Sequence, residues 1–138
     1  MDQAAPASET NGLFTGGFSG FAVRDAAAAK RFYNEVLGLD VADNIGGLRL
    51  SIPGGDEVFV YEKADHEPAN FTIFNLFVGD IAAAVETLAG CGVEFRKYGG
   101  EIETDEQGIH WGAKSGRGPN LAWFEDPSGN IFSVVEQS

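Results

Sequence analysis

Residues 127–136 read PSGNIFSVVE, and residues 53–62 read PGGDEVFVYE. The proline, the second glycine, a valine and the final glutamate coincide at an offset of 74, and Asn130 stands where Asp56 does. The echo extends upstream. FAVRDAAAAKRFYNEVLGLDV (21–41) aligns with LFVGDIAAAVETLAGCGVEF (76–95), with Asp25 matching Asp80 at an offset of 55. After a one-residue gap Gly38 matches Gly92 at 54. The later change to 74 marks an insertion in the second copy. Agreement in the same order at three places identifies two homologous modules.

Each module opens with an apolar strand, 17–24 and 71–78. Asp25 and Asp80 then fall where a helix N-cap belongs, accepting free backbone N–H groups at the positive helix end. Ala28, Phe32 and Val36, and likewise Ala83, Leu88 and Cys91, predict one apolar stripe per helix. Gly38 and Gly92 mark the helix ends. Three further strands per module are expected near 39–44, 47–52 and 57–62, and near 93–98, 120–125 and 130–136. The fold class is therefore α+β: two tandem βαβββ modules, 13–62 and 71–138, joined by a linker at 63–70 and preceded by a flexible tail at 1–12.

Strand alternation separates two faces. Leu48, Leu50 and Ile52 alternate with Arg49 and Ser51, and Phe74, Leu76 and Val78 with Ile73, Asn75 and Phe77. Phe132 and Val134 alternate with Ile131, Ser133 and Val135. The apolar sets should pack on the helices. The mixed sets, on curved sheets, should line a cleft.

Bulk properties narrow the function classes. The net charge of −12 argues against nucleic acid and anionic membrane surfaces, which need a basic footprint. No apolar run approaches the roughly 20 residues that span a bilayer. The opening MDQAAPASETNG lacks the basic and apolar regions of a signal peptide. A single cysteine excludes an intramolecular disulfide and fits a reducing cytoplasm, and Cys91 reads as a buried, inert thiol.

AAAAKRFYNEVLGLDV after a strand ending in VRD, with LAWFEDPSGNIFSVVE near the end, resembles the vicinal oxygen chelate superfamily. That group includes glyoxalase I, bleomycin-resistance proteins and extradiol dioxygenases, and the likeness covers roughly residues 14–137. It implies paired βαβββ modules curled around a cleft, usually in a homodimer. In metal-using members the ligands lie seven residues before each helix-capping Asp and three after the Asn of DPxGN. Those positions, with the repeat equivalent of the last, are here Phe18, Ile73, Ser133 and Phe59. Phenylalanine and isoleucine cannot ligate, and a lone serine is a poor ligand for a divalent ion. The scaffold is kept and the metal site is not.

Few residues remain to carry chemistry. His66 sits in the linker beside Glu67 and Pro68 and reads as solvated. His110, beside Trp111 in the polar insertion GGEIETDEQGIHWGAKSGRG (99–118), stands where a loop either closes over a cleft or stays disordered. Glu62 and Glu136 are repeat equivalents at strand ends, better suited to solvated or helix-side roles than to paired-carboxylate catalysis. The glycines of SGRGPN form a turn with no following helix to complete a phosphate site. An aromatic set is left. Phe18, Phe59, Tyr61 and Trp123 share mixed faces with Arg49, Asn75 and Ser133, and His110 and Trp111 stand at the mouth. Apolar walls with few polar fixtures describe a small-molecule pocket.

The sequence thus points to metal-independent binding of a small organic ligand, aromatic or antibiotic-like, in a homodimer. No catalytic residue, metal or cofactor is assigned. The alternatives are a glyoxalase-type lyase or isomerase or a dioxygenase-like metalloenzyme with a non-standard site, and a ligand-free structural or regulatory dimer.

Overall fold

The computed structural model describes residues 9–137, so the first eight residues of the expected tail lie outside the described residues. The first module runs β1 (Ser19–Val23), α1 (Ala26–Arg31), a π-helical turn (Phe32–Val36), β2 (Asp40–Asn44), β3 (Gly47–Ser51) and β4 (Glu57–Glu62). The second runs β5 (Thr72–Val78), α2 (Ile81–Gly90), a 3₁₀ turn (Gly100–Ile102), β6 (Ile109–Trp111), α3 (Gly112–Ser115), β7 (Asn120–Glu125) and β8 (Ile131–Glu136). Two four-stranded sheets result, ordered β1-β4-β3-β2 and β5-β8-β7-β6. In each, the first strand pairs parallel with the last and the remaining pairs are antiparallel. The duplicated α+β architecture read from the sequence is the one observed.

The repeat holds down to individual hydrogen bonds. The Asp25 carboxylate accepts from the Ala28 N–H and that of Asp80 from the Ala83 N–H, each at 3.1 Å. Glu62 and Glu136, at the ends of β4 and β8, accept from the first helical N–H groups, those of Ala26 and Ile81, each at 2.9 Å. Parallel pairing sets Glu62 beside Val23 and Glu136 beside Val78, next to where each helix begins. Both glutamates are thus helix-side anion caps, satisfying N–H groups that have no partner inside the helix.

The one-residue gap between the copies has a structural cause. Between its capping Asp and its terminal Gly the first module has one residue more than the second, and it absorbs that residue as the π turn, where Leu37 N–H bonds to Phe32 C=O at 3.0 Å. Both copies recover at the stop, with Gly38 at φ +73° and Gly92 at φ +99°.

The expected stripe is only partly right in these alanine-rich helices. Phe32, Val36 and Leu88 do pack against the core, but the fully buried positions are Ala29 and Tyr33 in the first module and Ile81 and Val85 in the second, not Ala28 or Ala83. Cys91 caps the end of α2 and is exposed rather than buried.

The second module also departs at its edge. Residues 93–98 form no strand; Phe95 makes one bridge to Phe124, and the Arg96 N–H donates to the Trp123 carbonyl at 2.8 Å. The chain then loops out over 97–108 and returns as β6, with Ile109 opposite Ala122 and His110 opposite Leu121. The edge strand is therefore built in two pieces. Gly108 locks the return: its φ is +92°, and a Cβ there would lie 2.6 Å from the Cβ of Phe95.

The apolar faces of both sheets share one core. Tyr33 stacks on Phe132 with ring centroids 5.6 Å apart, and Phe21 meets Phe74 and Phe132 at 6.1 and 5.9 Å. A buried polar hub closes the seam between the modules. The Asp126 carboxylate accepts from the Tyr33 hydroxyl at 2.5 Å, from the backbone N–H groups of Ser128 and Asn130 at 2.9 Å, and from the Asn130 side-chain amide at 3.0 Å. Burial, and then the adjacent Asp126 charge, push the Tyr33 pKa far above its usual value, so the phenol stays a donor. Asn130 also donates to Ala22 C=O, while the Arg24 N–H donates to Ser128 Oγ. Nor is His66 solvated: it is buried, and its Nε2 lies 3.0 Å from Asn130 Oδ1. The DPSGN turn thus fastens the first module to the second through the tyrosine of FYNEVLG.

Candidate functional site

With both apolar faces committed to one core, the mixed faces look outward on each sheet. On the first, Arg49 pairs across to Phe59, which stacks on Tyr61 at 5.9 Å and meets Phe18 edge-on at 6.4 Å. A cavity of about 440 Å³ opens here, lined by Phe18, Asn44, Arg49, Glu57, Val58 and Phe59. The Arg49 guanidinium lies 3.4 Å from Glu57 in an ion pair about half exposed on both sides. Such a pair contributes little and leaves the cation available. Phe18 is 80% exposed, so this aromatic wall is open to solvent.

On the second sheet the matching row is Asn75, Ser133 and Trp123 on β5, β8 and β7. The Ser133 hydroxyl donates to Asn75 Oδ1, leaving the Asn75 amide nitrogen unpartnered among the described residues. Trp123 is half-buried between buried Ala122 and Phe124, as the alternation requires. Its ring meets Tyr98 edge-on at 5.1 Å and His110 at 6.2 Å. Arg49 and Trp123, partners at the repeat offset, lie on different sheets, and Trp123 is not among the walls of the Arg49 cavity.

The insertion is organised around Asp105. Its carboxylate accepts from the Gln107 and Ile109 N–H groups and from Trp111 Nε1, each at 2.9 Å. Partial burial pushes the Asp105 pKa up, but the hydrogen bonds from Ile109, Trp111, Gln107 and Gly108 outweigh it and hold the group below its usual value. Trp111 points to the face opposite His110, with the Lys114 ammonium 5.7 Å from its ring centroid. His110 and Trp111 both line a cavity of about 470 Å³ with Asp105, Lys114 and Arg117, but Trp111 does not join Trp123.

A group whose pKa is depressed by folding stabilises the fold above its unfolded pKa, and that contribution is lost as pH falls through the folded value. Trp111 fluorescence should therefore change on acidification below pH ~4, before global unfolding followed by circular dichroism. Asp105→Ala should show the acid-type spectrum already at neutral pH. A Trp111 signal that tracks global unfolding in both proteins would sink this assignment.

The four positions at which the sequence resemblance implies metal ligands do not fit a metal here. Phe18, Phe59 and Ile73 offer no donor atom, and the Ser133 hydroxyl is committed to Asn75. Among the described residues no group of three or more His, Cys, Asp or Glu is placed to hold a metal ion.

Comparison with known proteins places this geometry. A glyoxalase/bleomycin resistance protein/dioxygenase superfamily structure from Sphaerobacter thermophilus DSM 20745 is 26% identical, covering 91% of this chain and 99% of that one, with a TM-score of 0.65. TnmS3, an antibiotic binding protein from Streptomyces sp. CB03234, is 22% identical over 90% of this chain and 98% of its own, with a TM-score of 0.61. The fosfomycin resistance protein FosX from Listeria monocytogenes shares the fold at 11% identity and a TM-score of 0.64, over 91% and 95% of the two chains. No curated protein matches the sequence significantly. The sequence profile of the Glyoxalase/Bleomycin resistance protein/Dioxygenase superfamily matches residues 17–134, and the chain belongs to that superfamily.

Proposed function

We propose that this protein binds a small aromatic or antibiotic-like molecule without a metal, in a cleft closed by a second copy of the chain. The observation that carries the reading is the pair of outward mixed faces. Each bears an aromatic wall and a few polar fixtures: Phe18, Phe59, Tyr61 and Arg49 on one, and on the other Trp123, His110 and Asn75, with the buried Ser133 holding Asn75 in place. Pockets of this make-up suit flat organic ligands, which stack on rings and are fixed by a few hydrogen bonds. The antibiotic binding of TnmS3 on the same fold supports it.

Within one chain the two faces turn away from a shared core, so neither is the opposite wall of the other. β1 and β5 are unpaired sheet edges, and Phe18, Phe71 and Phe77 stand 63–80% exposed near them. Edges and apolar rims of this kind are covered by pairing with another chain. A homodimer with sheet facing sheet turns two half-sites into a cleft, placing Arg49 of one copy across from Trp123 of the other.

Sedimentation should return twice the 14.7 kDa chain mass. In thermal shift, an aromatic carboxylate such as salicylate should stabilise the protein equally with and without EDTA. Arg49→Ala should weaken that binding by about 1.5–3 kcal/mol, the loss of a charge-assisted hydrogen bond. A monomer insensitive to every aromatic carboxylate tried, or stabilisation that EDTA abolishes, would overturn the proposal.

A further inference from the structure

We infer that the Trp123 half of the cleft selects ligands carrying a hydrogen-bond donor on the edge of a flat ring, with His110 Nε2 as the acceptor; this rests on the binding reading above and deepens it. The argument starts from the imidazole itself. His110 Nδ1 lies 2.9 Å from the Glu103 carbonyl oxygen. A carbonyl can only accept, so Nδ1 carries the proton, and in the neutral ring Nε2 holds a lone pair. The opposite tautomer would set two acceptors against each other.

The second step is accessibility. His110 is only 8% exposed, and no other polar group bonds it among the described residues. No buried side-chain nitrogen or oxygen among those residues lacks a partner. Nε2 is therefore reachable by solvent, although most of the ring is not. A nearly buried imidazole, fixed by a backbone carbonyl and presenting one bare acceptor, is a pre-organised fixture rather than a mobile surface histidine.

The third step is position. His110 pairs with Leu121 on the edge strand, on the face that carries Trp123, and the two ring centroids are 6.2 Å apart at a tilt of 38°. A bicyclic ligand stacked on the indole brings its edge to the imidazole. A ring N–H or O–H there completes a hydrogen bond. An ether oxygen, a carbonyl or a carboxylate there would face a lone pair and be rejected, because a site built for a donor leaves its acceptor unpaired by an analogue without one. The two halves of the cleft thus have opposite preferences: Arg49 takes an acceptor and His110 takes a donor.

Matched probes test this without knowledge of the natural ligand. Indole, benzofuran and 1-methylindole have nearly the same flat shape, and only indole carries a donor. Titrations followed by NMR at the Trp123 indole resonance should show indole binding about tenfold more tightly than either analogue, the worth of one hydrogen bond. In His110→Phe the preference should vanish while stacking persists. Long-range ¹H–¹⁵N spectra of the unsubstituted protein should show His110 Nε2 as the unprotonated nitrogen, a readout independent of binding and of whether the variant folds. Equal binding of indole and benzofuran, a preference that survives His110→Phe, or a protonated Nε2 at neutral pH overturns the inference and leaves the binding cleft standing. Failure of all three probes to perturb Trp123 at millimolar concentration overturns the cleft at this face, and the inference with it.

Discussion

Asp126→Ala should lower the unfolding free energy by about 3–5 kcal/mol, because each buried polar group left unpaired costs about 1–3 kcal/mol and water recovers only part of it. Four hydrogen bonds end on this carboxylate, from the Tyr33 hydroxyl, the Asn130 amide and two backbone N–H groups. Asp126 is 4% exposed and Tyr33 fully buried, so the orphaned donors have little access to solvent. Melting should fall by about 10 °C or more for a chain of this size. Tyr33→Phe removes a single donor and leaves the carboxylate its other three partners, so it should cost only about 1–2 kcal/mol. The ordering matters more than either value. A carboxylate that merely shaped its own turn would give Asp126→Ala a loss within about 1 kcal/mol of the parent, and thermal or urea denaturation decides between the two.

That hub shows where sequence reading stops. The turn, its proline and its glycine are visible in DPSGN, but the partners Tyr33, Ala22 and His66 lie 93, 108 and 64 residues away along the chain from Asp126 or Asn130. Nothing local marks His66 as buried, since its neighbours are acidic and turn-forming. The caps were legible because Asp25 and Asp80 act on N–H groups three residues on, and the strand faces because alternation is a local property. The helix stripe was legible only where its residues are large, at Phe32, Val36 and Leu88: a run of four alanines carries no contrast between faces, and the extra residue of the π turn rotates the positions C-terminal to it. The strand expected at 93–98 failed for a related reason. VEFRKY alternates well enough, but the ladder place beside Ala122 is taken by Ile109, and only the pairing partner reveals it.

The strand faces of the candidate site were legible; their opposition was not. Alternation placed Phe18, Arg49, Phe59, Asn75, Trp123 and Ser133 on mixed faces, and the structure agrees for each sheet. What alternation cannot give is which faces oppose. Repeat equivalence of Arg49 and Trp123 means the same place on two different sheets, hence separation within one chain rather than one shared pocket. Any joint action requires a second copy. The orientation of His110 was equally hidden, because it depends on a backbone carbonyl in a loop with no repeat counterpart.

Phe132→Ala tests whether the two modules are one cooperative unit, on which the shape of the proposed cleft depends. The ring is fully buried and meets Phe21, Tyr33, Phe74 and Phe124 at centroid distances of 5.2–5.9 Å, two partners from each module. Truncating such a ring costs about 3–5 kcal/mol through lost transfer energy and the cavity left behind. Its repeat equivalent, Val58, is buried in the first sheet with a smaller side chain, and Val58→Ala should cost about 1–2 kcal/mol. Both tryptophans lie in the second module, so their fluorescence reports that module, while far-ultraviolet circular dichroism reports both. If the seam couples the modules, Phe132→Ala shifts both signals to the same lower urea midpoint, and Val58→Ala, made in the first module, shifts the second module's fluorescence as well. Separate midpoints in either variant would mean that the modules unfold independently. Phe132 immediately precedes Ser133, which bonds Asn75 of the neighbouring β5 on the opposite face of β8, the face proposed to meet the ligand. Loosening the core face at that point should therefore weaken binding at the Trp123 face even where the protein remains folded.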